Sequence, residues 1–184
     1  MVEASPPSAP TLYLGMDCTG VPRRQSELVG RAGSALGSDL FGGFDRPKNG
    51  PTGPGGWWIV FEPELHFADN VLVPDLAGWR RERMPRFPNV AAFELAPDWV
   101  CEVVSPTTAR IDRIRKLRIY AREDISHAWI VDPLAETLEV YALAAGTYAL
   151  VASFEGTEKV RAAPFDAVLL DMTRWWIETE TSSD

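Results

Sequence analysis

Asp98-Trp99-Val100-Cys101-Glu102-Val103-Val104-Ser105-Pro106-Thr107-Thr108 sets one carboxylate inside an apolar run and then breaks the run with hydroxyl and proline residues. The apolar part reads as a buried strand, and Ser105 or Thr107 can cap a following helix by accepting a bond from the free amides of its first turn. Glu102 cannot sit comfortably in a core without a partner, because an uncompensated buried carboxylate is costly. Cys101 beside it reads as a small buried hydrophobe. Upstream, Val71-Leu72-Val73-Pro74-Asp75-Leu76-Ala77-Gly78-Trp79 repeats the pattern with Asp75. Neighbouring strands would bring the two carboxylates together. A divalent metal held between them could lower the pKa of an attacking water and offset charge building on a phosphorus.

Around these runs the chain alternates helical and strand patterns. Leu28, Val29, Ala32, Ala35, Leu36 and Leu40 recur at helical spacing between Arg23 and Leu40, which predicts a first helix closed by Gly42-Gly43. A Gly/Pro-rich loop covers 45–56. Trp57 to Glu62 and Val71 to Trp79 then read as two strands joined as a hairpin by residues 63–70, and residues 80–97 read as irregular because of Pro85, Pro88 and Pro97. A helix is expected up to about Glu123, then a buried strand at His127-Ala128-Trp129-Ile130-Val131-Asp132-Pro133. Leu138 to Leu143 and Tyr148 to Phe154 form an antiparallel pair about Ala144-Ala145-Gly146, and a last short strand lies near Val168-Leu169-Leu170. The fold class expected is α/β, a mixed β-sheet flanked by helices. The expected division is an N-terminal segment over 1–22, partly disordered, one domain over 23–178 and a tail over 179–184.

Composition sets the outer limits. Across 184 residues, 46% hydrophobic and 24% charged is the balance of a soluble globular chain. The first eleven residues lack the basic start and apolar core of a signal peptide, and no run approaches membrane-spanning length, so the expected location is the cytoplasm with no membrane partner. Two cysteines, Cys18 and Cys101, make no disulfide framework. The net charge of −8 argues at first against a polyanionic partner, but residues 80–122 hold ten basic and five acidic side chains, so this segment carries +5 and the remainder −13. A basic segment flanking both carboxylates would guide an anionic substrate.

Pro74-Asp75, then Glu102-Val103-Val104-Ser105-Pro106-Thr107, then Asp112 with Lys116 and Tyr120, and finally Trp129-Ile130-Val131-Asp132-Pro133 together resemble the Uma-two family of restriction endonucleases, a branch of the PD-(D/E)XK nuclease-like superfamily. The resemblance spans roughly residues 57–143. It implies a restriction endonuclease-like core of one helix, a three-stranded meander and a second helix. Asp75 and Glu102 would be metal ligands, with the Val103 carbonyl beside them and Glu27 of the first helix as a further acid. It also implies magnesium or manganese as cofactor, since hard oxygen ligands suit these ions, and a nucleic-acid substrate, DNA ahead of RNA. The wider superfamily places a lysine after one residue beyond the second acid, where Val104 stands here. The resemblance moves that charge to Lys116.

The residues alone read more plainly. On a helical projection Ile111, Ile114, Leu117 and Ala121 form the apolar stripe, which leaves Lys116 exposed and able to pair with Asp112 four residues away. Glu27 reads as a solvated or capping residue, and Tyr120 as packing over the strand ends. Two histidines are too few for a histidine-rich zinc site, and neither a Gly-x-Ser-x-Gly elbow nor a phosphate-cradling glycine loop occurs. Seven tryptophans favour a subunit contact, hence a homodimer. The competing reading is a nuclease-like scaffold that binds nucleic acid or a protein without cutting, as Val104 and the acidic total charge suggest.

Overall fold

Ala32, Leu36, Leu40 and Phe44 are buried, each one helical turn after the last, and this stripe is what docks the first helix. The computed structural model describes residues 13–14, 23–49, 53–68, 70–104 and 109–176. Within them a short strand β1 (Tyr13–Leu14) precedes helix α1 (Arg23–Phe44). The helix runs through Gly42-Gly43 instead of stopping there, because Phe44 has a site to fill: its ring lies 4.7 Å from that of Phe165. Gly43 lets Val168 lie close, where a Cβ would come within 3.1 Å.

Strands β2 (Trp57–Phe61), β3 (Leu65–Phe67), β4 (Asn70–Leu72) and β5 (Leu76–Arg80) follow. The expected single strand over 71–79 is two strands in two sheets. β4 pairs with β3 and with β1, while β5 pairs antiparallel with β2, Phe61 opposite Leu76. Pro74 explains the break, since it offers no N–H to a ladder. Asp75 is therefore left at the lip of β5. Next come β6 (Trp99–Val103), α2 (Ala109–Arg122) and β7 (His127–Asp132), with β6 and β7 parallel and the helix as their crossover. β8 (Thr137–Ala144) and β9 (Thr147–Glu155) form a hairpin whose turn residues Ala145 and Gly146 have φ of 49° and 76°. Two positive φ values in a two-residue loop match the twist of the strands it joins. β10 (Lys159–Val160), β11 (Leu170–Asp171) and a 3-10 turn (Met172–Arg174) end the described chain.

The main sheet has the order β2-β5-β6-β7-β8-β9 and is mixed. β6 is buried along its whole length. Period-two alternation sends Trp99, Cys101 and Val103 to one face, where α1, Phe165 and Trp175 complete a core. Val100 and Glu102 point to the other face, covered by α2 and the small β1-β4-β3 sheet through Ile119, Tyr120, Leu65 and Leu72. Trp57, Trp79, Trp99, Trp129, Trp175 and Trp176 are all buried within the chain. Phe165 is ringed by Trp57, Trp99 and Trp129 at centroid distances of 4.8, 4.9 and 5.5 Å. The tryptophans thus serve the chain's own core, which removes their number as an argument for a subunit contact. No described helix is long and apolar enough to cross a membrane. Cys18, the Ser105 or Thr107 cap and the two termini lie outside the described residues.

Candidate active site

The last bridged pair of β5 and β6 is Leu76 with Cys101, so the next pair outward is Asp75 with Glu102. Leu76 and Cys101 point to the α1 face; alternation therefore turns both carboxylates to the α2 face. Asp75 Oδ2 accepts the Val103 N–H at 2.7 Å. A strand residue directs its N–H and C=O to the same side, so the Val103 carbonyl also faces Asp75. Burial, and next the charge of Glu102, push the Asp75 carboxyl up to about 7, against the Val103 amide and the Lys116 ammonium, which lower it.

Glu102 is 8% exposed. Its Oε2 accepts from Lys116 Nζ at 2.8 Å, and its Oε1 from the Tyr120 hydroxyl at 2.6 Å. Lys116 and Tyr120 stand one turn apart on α2, which is why both reach the same carboxylate. Lys116 is only 6% exposed, not solvated as the apolar stripe suggests, while Ile114 of that stripe is 43% exposed. The magnitudes explain the rotation of the helix. Leaving a buried carboxylate without partners costs several kcal/mol, more than the roughly 2 kcal/mol gained by burying one isoleucine. Burial and the neighbouring Glu102 charge hold the Tyr120 hydroxyl well above its usual pKa, so it remains a donor. The Cys101 thiol is raised as well, chiefly by burial, and is no nucleophile.

Glu27 is exposed on α1, the helix on the opposite face of the sheet, where Gly33 rests on the Val103 side chain. An acid absent from the expectation stands nearer. Glu62, just past β2, donates its N–H to the Asp75 carbonyl at 3.0 Å, and its charge also raises the Asp75 pKa. Only the β2–β5 pairing makes it a neighbour, and no local pattern announces that. Among the described residues no three His, Cys, Asp or Glu side chains gather as a metal cluster. The Asp112 side chain lies outside the description. The basic segment divides in two. Arg113 bonds Glu139 at 3.3 Å, Arg83 pairs with Asp98 at 3.0 Å, and Arg81 pairs with Asp45 at 3.4 Å while covering the Trp58 ring. Arg115, Arg118 and Arg122 instead stand exposed along α2.

Residues 39–173 match the family model Uma2, described as "Putative restriction endonuclease". The chain belongs to the Uma2 family. Its fold is also that of a solved structure described as "a putative nuclease belonging to DUF820 from Anabaena variabilis ATCC 29413", with a TM-score of 0.60, 20% identity, and coverage of 84% of this chain and 81% of that one. No curated protein matches the sequence. The Uma2 chain has the expected core of α1, the β2-β5-β6 meander and α2, with the β3–β4 hairpin inserted between β2 and β5 and extended by β1.

Proposed function

We propose that this chain is a magnesium- or manganese-dependent nuclease that hydrolyses phosphodiester bonds, of DNA ahead of RNA, at Asp75, Glu102, the Val103 carbonyl and Lys116. The observation that carries this reading is the carboxylate pair on one sheet face, where burial and then the Glu102 charge raise Asp75 to about 7 and Lys116 supplies a buried cation beside them. Two carboxylates side by side on one sheet face, with a backbone carbonyl directed at the same gap, are a hard oxygen donor set. Such a set suits magnesium, which keeps several waters and takes one or two protein carboxylates. When bound there, a divalent cation lowers the pKa of a water and offsets phosphorane charge.

The chain's own residues prepare the site. The Val103 amide fixes one oxygen of Asp75 and leaves the other for a ligand. Tyr120 and Lys116 hold Glu102 in one rotamer, so little ordering remains when substrate arrives. Lys116 stands in for the superfamily lysine whose place is taken by Val104, putting positive charge where the scissile phosphate becomes more negative. Glu27, exposed on the far side, has no part in this proposal. Manganese titration followed by calorimetry tests it: one site in the wild type, lost in Asp75→Asn, is the expected result. Nucleic-acid binding with no manganese site would favour the non-cutting scaffold.

A further inference from the structure

We propose that the flank of α2 beside the small β1-β4-β3 sheet is a docking track for the sugar-phosphate backbone of the substrate strand, gripped by Arg115, Arg118 and Arg122. The inference rests on the nuclease reading and adds where the strand lies. These arginines follow one another at three- and four-residue steps, so they share one face of the helix. Together with Asn70, Ile114 and Ile119 they line a groove of about 480 Å³ between α2 and the small sheet.

Three features point to a polyphosphate strand. The arginines span about 10 Å along the helix axis at 1.5 Å per residue, long enough for their extended side chains to reach successive phosphates of one strand. Of the other basic side chains of residues 80–122, Arg81, Arg83 and Arg113 are drawn onto Asp45, Asp98 and Glu139 and Arg80 lies over the Trp57 ring, whereas Arg122 makes only a loose 3.8 Å pair with its neighbour Glu123. The body around the groove is acidic, with −8 overall, so this flank is where a polyanion is attracted instead of repelled. Ile114 and Ile119 give the groove an apolar floor against which sugars can rest, and Asn70 adds an amide that bonds to either backbone oxygens or base edges. Lys116 and Tyr120 occupy the other side of the same helix, about one helix diameter, or 10 Å, from the groove. A strand held in the track is therefore registered against Glu102 a few nucleotides from the cut.

The test is fluorescence anisotropy with labelled single-stranded and duplex oligonucleotides in EDTA, where cleavage is blocked, between about 50 and 300 mM KCl. Wild type is compared with Arg115→Ala/Arg118→Ala/Arg122→Ala and with Arg31→Ala/Arg161→Ala, which lowers the charge elsewhere; thermal melts verify folding. Each lost phosphate contact removes about 0.9 from the log–log salt slope on duplex and about 0.7 on a single strand. The triple variant is expected to lose a slope of about 2 to 3 and at least tenfold in affinity at low salt, while the control keeps the wild-type slope. A wild-type slope in the triple variant, or an equal loss in the control, overturns the track. If wild type still cuts nucleic acid in that case, the nuclease reading stands without it. If wild type neither binds nor cuts any oligonucleotide, both fall together.

Discussion

Asp75→Asn is expected to make the metal-free protein more stable at alkaline pH, the reverse of what removing a well-placed ion pair would do. The carboxyl rises from an ordinary 3.8 to about 7 in the folded state. Between those values the folded state binds more protons than the unfolded one, so stability falls as pH rises and stops falling above the folded pKa. From pH 5 to 7 the slope starts near 1.4 kcal/mol per pH unit and halves by the folded pKa, so the loss is about 2 kcal/mol. For a chain of 184 residues this corresponds to roughly 6 °C in melting temperature. Asparagine keeps an oxygen for the Val103 amide and carries no charge, so the variant lacks this component. Melts of both proteins in EDTA at pH 5, 6, 7 and 8 measure it: the wild-type curve drops relative to the variant, and millimolar magnesium or manganese restores wild type alone. Parallel curves at every pH, with and without metal, would refute the argument that burial beside Glu102 raises this carboxyl.

Lys116→Ala is expected to cost about 3 kcal/mol in urea denaturation, because it takes the cation away from a buried carboxylate; a loss within about 0.5 kcal/mol is what an exposed lysine would give. Adding Glu102→Gln to that variant is expected to recover much of the loss. Tyr120→Phe removes a bond to a charged acceptor and is expected to cost about 2 kcal/mol by the same measurement. Gly78→Ala on β5 is expected to cost about 1 to 3 kcal/mol through overpacking, since its Cβ would come within 3.1 to 3.2 Å of Trp99, Ile59 and Trp57.

Asp75 and Glu102 stood out in the sequence because charges inside apolar runs are expensive, and expense marks purpose. The strand around Glu102, the helix after it and the β8–β9 hairpin were readable from short-range pattern for the same reason: their periodicity and turn residues are local. The split at Pro74 does not follow from the local pattern, because Val71 to Trp79 is apolar on both sides of Pro74-Asp75 while its halves serve different sheets. The inward turn of Lys116 was invisible to a projection that counts only apolar residues. In α2 a carboxylate supplied by β6 decides which face is buried, and that is a long-range fact. Glu62 went unnoticed because its nearness to Asp75 depends on pairing between strands separated by a whole inserted hairpin.

The central claim is most directly tested by cleavage of end-labelled DNA and RNA by purified wild type, Asp75→Asn and Glu102→Gln, with magnesium, manganese or EDTA, each protein first confirmed as folded by its melt. The account predicts metal-dependent cutting by wild type, none in EDTA, and rates lowered about a hundredfold or more in both variants, the scale of losing a group that stabilises transition-state charge. Cutting that persists in both variants, or a folded wild type that cuts nothing with either metal, would contradict it.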